Sequence, residues 1–192
     1  YDHPFVRPNL YNMTTKKYNE KLELSEFLQW GRRNPTRFCE EIFNVQLLDY
    51  QRYLFDSSWN VPFAVWAMSR NGGKSIGASL FVMDKMMLIP NFKAYILAGV
   101  GSQSIEMFLK MEAFALKNIS SFTNLNDIFQ SNVVKSQANS NGWIHNPASY
   151  TVRTYGGSQC FTLNGAFDNN RSKRSNLNVY DEAMNAPDEL FH

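Results

Sequence analysis

Short apolar runs alternate with segments of helical pattern through the middle of the chain. Residues 63–68 and 93–98 are short, mainly apolar runs, as expected for strands that are buried on both faces. Residues 76–88 have helical composition, and the stretch that begins at Ser102 places Ile105, Phe108, Leu109, Ala113 and Leu116 on one helical face. The order strand, helix, strand, helix predicts right-handed crossovers and a parallel sheet.

The two ends of the chain have different patterns. The first sixty residues predict helices over 22–30, from Asn34-Pro35, and after Asp49, with Asn34 and Asp49 as N-caps. From 132 to 163 the sequence is polar and β-like, and Gly156-Gly157 between 150–155 and 158–163 predicts a hairpin with a two-residue turn. A last apolar run, 177–180, follows a polar and basic loop.

Composition excludes several classes of protein. The chain has 192 residues, 44% of them hydrophobic, which indicates one globular domain, and its net charge of +2 gives no whole-protein field for nucleic acid or membranes. Two cysteines and three scattered histidines provide neither a disulfide framework nor zinc-ligand spacing, so we expect a reducing compartment. No apolar stretch spans a bilayer, and no secretory signal pattern is present. Because it starts at Tyr1 and stops soon after an acidic motif, we expect a piece of a longer protein.

A glycine-rich motif lies between the apolar run 63–68 and the predicted helix 76–88. It consists of Ser69, Arg70, Asn71, Gly72, Gly73, Lys74 and Ser75. A loop in this position binds phosphate, because glycines let backbone N–H groups converge on its oxygens and the helix N-terminus adds its positive dipole end. Lys74 would neutralise the β- and γ-phosphates, and the Ser75 hydroxyl would be a magnesium ligand. Met68 stands where the common pattern has its first glycine. Taken alone, the motif is also compatible with a glycine-rich turn before an exposed lysine.

An acidic pair follows the last apolar run. In this arrangement Asp181 would hold Mg²⁺ through water, and Glu182 would act as the general base on the attacking water. Alone, such a pair is also typical of a solvated turn or a helix N-cap. The phosphate-loop motif and the acidic pair together, in this order and each after a predicted parallel strand, favour a nucleotide site.

Gln51 is a third candidate, 23 residues before Lys74. Its amide offers a paired donor and acceptor, which suits the edge of an adenine base. The alternative is an exposed helical glutamine.

Together, Gln51, the Ser-Arg-x-x-Gly-Lys-Ser loop, an arginine-bearing loop and Asp-Glu-Ala resemble the N-terminal ATPase of tailed-bacteriophage terminase large subunits, over roughly residues 34–187. The resemblance implies an α/β P-loop NTPase fold, RecA-like and of the type with an additional catalytic Glu. Its sheet would be mainly parallel and flanked by helices, with a β-hairpin insertion. The chain is accordingly interpreted as one ATPase domain, 1–192. Residues 1–60 would be a helical segment carrying the adenine-binding Gln, and 61–192 the P-loop core.

The resemblance also implies cofactors, partners and further site residues. The cofactors would be ATP and Mg²⁺, and the activity would drive double-stranded DNA into a procapsid. Partners would be the portal protein, the small terminase subunit and further copies of the chain in a ring, in the cytoplasm of the infected bacterial host. The isolated chain would be a monomer, with no membrane partner. Arg70 would be the arginine within the loop, and Arg171, eleven residues before Glu182, the arginine finger, with Arg174 as a competitor.

Two other functions remain open at this point. An N-terminal motor domain of a helicase also combines a Gln motif, Gly-Lys-Ser and Asp-Glu-Ala, although Met184 stands where many helicases have His or Asp. A nucleotide-binding module that organises a ring without turnover would use the same loop. The basic loop around Arg171 is equally compatible with a solvated surface or with contacts to DNA phosphates. Neither the coupling motif nor the nuclease domain of terminases follows within the sequence, so we expect ATP hydrolysis without DNA cleavage.

Overall fold

The computed structural model describes residues 14–69, 71–98, 101–118, 142–146, 149–154, 156–164 and 174–181. Within these ranges the chain forms five helices and five strands. The helices are α1 (Thr15–Arg33), α2 (Pro35–Phe43), α3 (Asp49–Ser58), α4 (Lys74–Leu88) and α5 (Gly101–Asn118). The strands are β1 (Lys93–Ala98), β2 (Gly142–Asn146), β3 (Ser149–Arg153), β4 (Gln159–Asn164) and β5 (Leu177–Asp181). No helix within the described ranges has the length and apolar character needed to cross a membrane.

The strands form one mixed sheet in the order β2-β3-β4-β1-β5. Strand β1 is parallel to both of its neighbours, β4 and β5, whereas the pairings β2 with β3 and β3 with β4 are antiparallel. The protein is therefore α/β, with a mixed five-stranded sheet flanked by helices. The prediction of a mainly parallel sheet is wrong, because short connections such as 154–158 between β3 and β4 can join only antiparallel strands.

The hairpin predicted around Gly156-Gly157 is confirmed as the pair β3 and β4, but the connection is 154–158 rather than two residues. Thr151 lies opposite Phe161 in its register. The connection is closed by Thr154, whose N–H donates to Ser158 O at 2.9 Å, and Gly157 has a positive φ of 81°. A glycine at this position allows the turn to form without strain.

Residues 63–68 do not form the strand that their composition predicts. They have no regular secondary structure, and Phe63 and Val65 are 75% and 73% exposed. Both edges of β1 are occupied, by β4 and β5, and no strand in the described part of the chain pairs with this segment. Trp66 fixes the segment to the helices: its Nε1 donates to Ser58 Oγ at 2.7 Å, and its ring packs edge-on against Phe81.

The three predicted N-terminal helices are confirmed, but their capping differs. Helix α1 extends well beyond the predicted 22–30. Asn34 is the N-cap of α2 and Pro35 its first helical residue, as predicted, but the Asn34 side chain makes no cap hydrogen bond; its Nδ2 donates instead to Trp30 O in the last turn of α1. Asp49 is the first residue of α3 rather than its cap, which is Leu48.

The larger hydrophobic core lies between the helices and one face of the sheet. Alternation along β1 divides its side chains between the two faces, so Ala94 and Ile96 join this core, whereas Tyr95 and Leu97 belong to a second cluster. Most of α4 is buried in the larger core. This burial fixes the helix whose first turn carries Lys74 and Ser75.

Candidate functional site

The loop before α4 is tightly turned. Asn71 and Gly73 have positive φ angles of 62° and 77°, and the Gly72 N–H donates to Ser69 O at 3.2 Å. Position 73 favours glycine because of its backbone angle, whereas a Cβ there would lie 2.7 Å from Nε2 at the end of the flexible Gln51 side chain, which can shift. The compact turn and the helix that follows it are present as the motif predicts, but the strand expected before the turn, 63–68, is not.

The N-terminus of α4 is open to a ligand. Its N-cap is Gly73, which makes no side-chain cap, and the first turn contains no acidic residue. The first backbone N–H groups of a helix lack partners within the helix and carry partial positive charge. Lys74 and Ser75 in this turn are half-buried. Among the described residues no carboxylate forms an ion pair with Lys74. The arrangement suits an anion.

The acidic motif meets this turn at the end of the sheet. Asp181 is the last residue of β5, opposite Ala98 of β1, and the Ser75 hydroxyl donates to Asp181 Oδ2 at 3.4 Å. A hydroxyl and a carboxylate are both hard oxygen donors, which fit Mg²⁺. Within the described ranges no group of three or more His, Cys, Asp or Glu side chains is placed to hold a metal. An ion here would therefore take its remaining ligands from phosphate and water, as Mg²⁺ commonly does.

Helix α3 also contacts the loop. The Tyr50 hydroxyl donates to Gly72 O at 3.0 Å. The Gln51 Oε1 accepts the Leu48 N–H at 3.0 Å, and its Nε2 is directed at Gly73. Gln51 is thus beside the loop, as the sequence predicts, but its acceptor oxygen is bound to the start of its own helix.

Ser79 makes contacts beside the loop that no motif in the sequence predicts. It is fully buried, and its hydroxyl is 2.6 Å from Ser75 O and 3.2 Å from Met107 O. It therefore links the first turn of α4 to α5. The one signal in the sequence was its position four residues after Ser75, one helical turn further along.

The structure brings together part of the predicted site. Gln51, Ser69, Asp181 and the segment 71–75 lie around the loop. Arg70, Arg171 and Glu182 lie outside the described residues. Arg174, the competing finger, is exposed at the start of the segment that leads into β5. No protein-family model matches the chain, and no curated protein sequence matches it.

Proposed function

We propose that the chain is a P-loop ATPase domain, RecA-like with an additional catalytic Glu, that works as the motor domain of a terminase large subunit. The observation that carries the proposal is the contact between Ser75 Oγ and Asp181 Oδ2 at 3.4 Å, across 106 positions of sequence. It joins the end of a glycine turn to the end of a strand that is parallel to its neighbour. An open α/β sheet binds its ligands at this kind of edge.

Each residue of the proposed site has its own role in hydrolysis. The N–H groups of the loop and of the first turn of α4 bind the phosphates, and Lys74 offsets their charge. Ser75 and Asp181 would hold Mg²⁺, which would supply further positive charge at the phosphates. Glu182 accepts the proton of the attacking water. Arg70 and Arg171 stabilise the charge of the transferred phosphoryl group.

The larger role follows from the resemblance to terminases. ATP hydrolysis would power translocation of double-stranded DNA into a procapsid, by a ring of these subunits that works with the portal protein and the small subunit. The expected location is the cytoplasm of the infected host, at the portal. An N-terminal helicase motor and a ring module without turnover are distinguished from this role by the experiments below.

The test is MgATP hydrolysis by the purified chain and by Lys74→Ala. Loss of the lysine should lower the rate roughly a hundredfold or more, because it removes a fixed charge opposite the phosphates. Lys110→Ala is the matched control, since Lys110 pairs on the surface of α5 with Glu106 at 3.0 Å. It should leave the rate unchanged.

Each failure has its own meaning. Normal turnover by Lys74→Ala would overturn the phosphate-loop assignment. Binding of ATP by the wild-type chain without turnover, even at high protein concentration, would indicate a ring module. Strand separation of a DNA duplex would indicate a helicase.

A further inference from the structure

We infer that Tyr50 is a positioning residue of the phosphate loop: its hydroxyl fixes the peptide between Gly72 and Gly73, so that the Gly73 N–H faces the bound phosphate. The contact itself is the hydrogen bond from Tyr50 Oη to Gly72 O at 3.0 Å. The consequence for nucleotide binding rests on the proposed function.

The orientation of the Gly73 N–H follows from the geometry of its peptide unit. A trans peptide is planar, so the C=O of Gly72 and the N–H of Gly73 point in opposite directions. No cis peptide occurs among the residues described. A donor that holds the Gly72 carbonyl on the α3 side of the loop therefore holds the Gly73 N–H on the opposite side. That N–H immediately precedes the first turn of α4, where the other free N–H groups are.

A Gly-Gly peptide needs such a restraint. Glycine reaches positive and negative φ with similar ease, so this peptide can rotate at low cost unless something holds it. Rotation would turn the Gly72 carbonyl oxygen, instead of the Gly73 N–H, towards the phosphate. A phosphate oxygen would then meet a negative dipole end rather than a donor.

The helix that carries Tyr50 is anchored to the rest of the protein, and the tyrosine side chain itself is 45% exposed. The first turn of its helix is closed by the bond from Leu48 N–H to Gln51 Oε1. Two residues further, Arg52 pairs with Glu40 of α2 at 2.9 Å, and Phe55 is buried in the core. Helix α3 is therefore a fixed base from which the hydroxyl reaches the loop.

The experiment compares Tyr50→Phe with Tyr53→Phe on the same helix. Tyr53 is 73% exposed, so Tyr53→Phe is a matched control that also removes one tyrosine hydroxyl. Binding is measured for MgATP, MgGTP and inorganic tripolyphosphate. Tyr50→Phe should weaken all three by the same factor, roughly three- to tenfold, as expected for one neutral hydrogen bond. Tyr53→Phe should bind all three normally. The melting temperature of Tyr50→Phe should fall by no more than about 2–4 °C.

A second measurement is independent of ATP. In the nucleotide-free protein, ¹⁵N relaxation of Gly72 and Gly73 should show greater motion in Tyr50→Phe than in wild type or Tyr53→Phe. Unchanged relaxation, or unchanged tripolyphosphate binding, would overturn the inference. A Tyr50→Leu variant that loses nucleotide but keeps tripolyphosphate would also overturn it, because the ring would then contact the base. If wild type binds none of the three ligands, the proposed function fails, and the relaxation data still decide whether Tyr50 restrains the loop.

Discussion

The two ends of α4 have opposite environments. In the first turn Lys74 and Ser75 are half-buried, and Ile76 is 43% exposed. From 80 to 88 every side chain except Lys85 is buried. Uncapped N–H groups and accessible side chains add little to folding stability, whereas each buried apolar side chain adds about 1.5–3 kcal/mol. The buried end stabilises the helix, and under the proposed function the open end binds the phosphates, so substitutions at the two ends should affect stability and turnover separately.

The largest effect is expected at the open end, from Ser75→Ala. The variant loses the hydroxyl that contacts Asp181, and alanine is a good helix former. MgATP turnover should fall roughly a hundred- to a thousandfold, as for loss of other transition-state contacts, while stability to urea stays close to wild type. A requirement for more Mg²⁺ should accompany the loss. A clear loss of urea stability together with the loss of turnover would show that the two ends are not independent.

The buried end should show the reverse response in Leu80→Ala. Leu80 is fully buried in the core, so truncation should lower the free energy of unfolding by about 2–5 kcal/mol. Ile76→Ala, on the same helix but 43% exposed, should cost less than about 1 kcal/mol. Urea unfolding of both variants measures the difference. Similar costs would mean that the exposed turn contributes as much to folding as the core.

Local sequence features predicted the parts of the molecule that depend on neighbouring residues. The glycine turn, the helix that follows it and the hairpin around Gly156-Gly157 depend on backbone angles that a few adjacent residues set. Residues 63–68 and β1 are both short, mainly apolar runs, yet β1 has a neighbour on each side whereas 63–69 pairs with no described strand. Strand formation requires a paired edge, and composition does not reveal which edges are filled.

The contacts around the loop were less predictable. Spacing placed Gln51 near Lys74, but the bond from Leu48 N–H to its Oε1 depends on where α3 begins. The bonds of Tyr50 and Ser79 join residues 22 and 28 positions apart. Such contacts arise from the packing of helices, so a pattern within one helix carries little information about them.

Asp84 is an exception within the buried end of α4. It is fully buried, and neither of its carboxylate oxygens has a hydrogen-bond partner among the described residues. Burial raises the pKa of this carboxyl well above its ordinary value. The Asp84 carboxyl is therefore neutral in the folded protein at a pH where the same carboxyl in the unfolded chain has already lost its proton.

This difference predicts a pH-dependent loss of stability that Asp84→Asn removes. Above the unfolded pKa, unfolding releases the proton of Asp84, so the wild-type free energy of unfolding falls as pH rises towards the folded pKa. The amide of Asn does not titrate. From about pH 5 to about pH 7, the stability of Asp84→Asn relative to wild type should rise, by up to about 1.4 kcal/mol for each pH unit.

Urea unfolding at the two pH values measures this change, and all other groups titrate alike in both proteins. A difference that does not vary with pH would show that Asp84 ionises in the folded state as it does in the unfolded chain. MgATP turnover by Asp84→Asn should match wild type, because the residue is about three helical turns from Lys74.

The smallest effect is expected from Ser79→Ala, at the boundary between the two ends. The hydroxyl touches Ser75 O and Met107 O, but both are carbonyls inside helices, whose backbone bonds remain when the hydroxyl is removed. No buried acceptor is left unpaired, so the cost in stability should be about 1 kcal/mol or less. Turnover should change by less than about threefold, since a lost hydrogen bond of this size shifts the first turn of α4 little. Ser75 and Ser79 are one helical turn apart, so parallel turnover assays of Ser75→Ala and Ser79→Ala measure how far along α4 substitutions affect turnover. If Ser79→Ala were as inactive as Ser75→Ala, the proposed nucleotide site would also depend on the buried contact between Ser79 and α5.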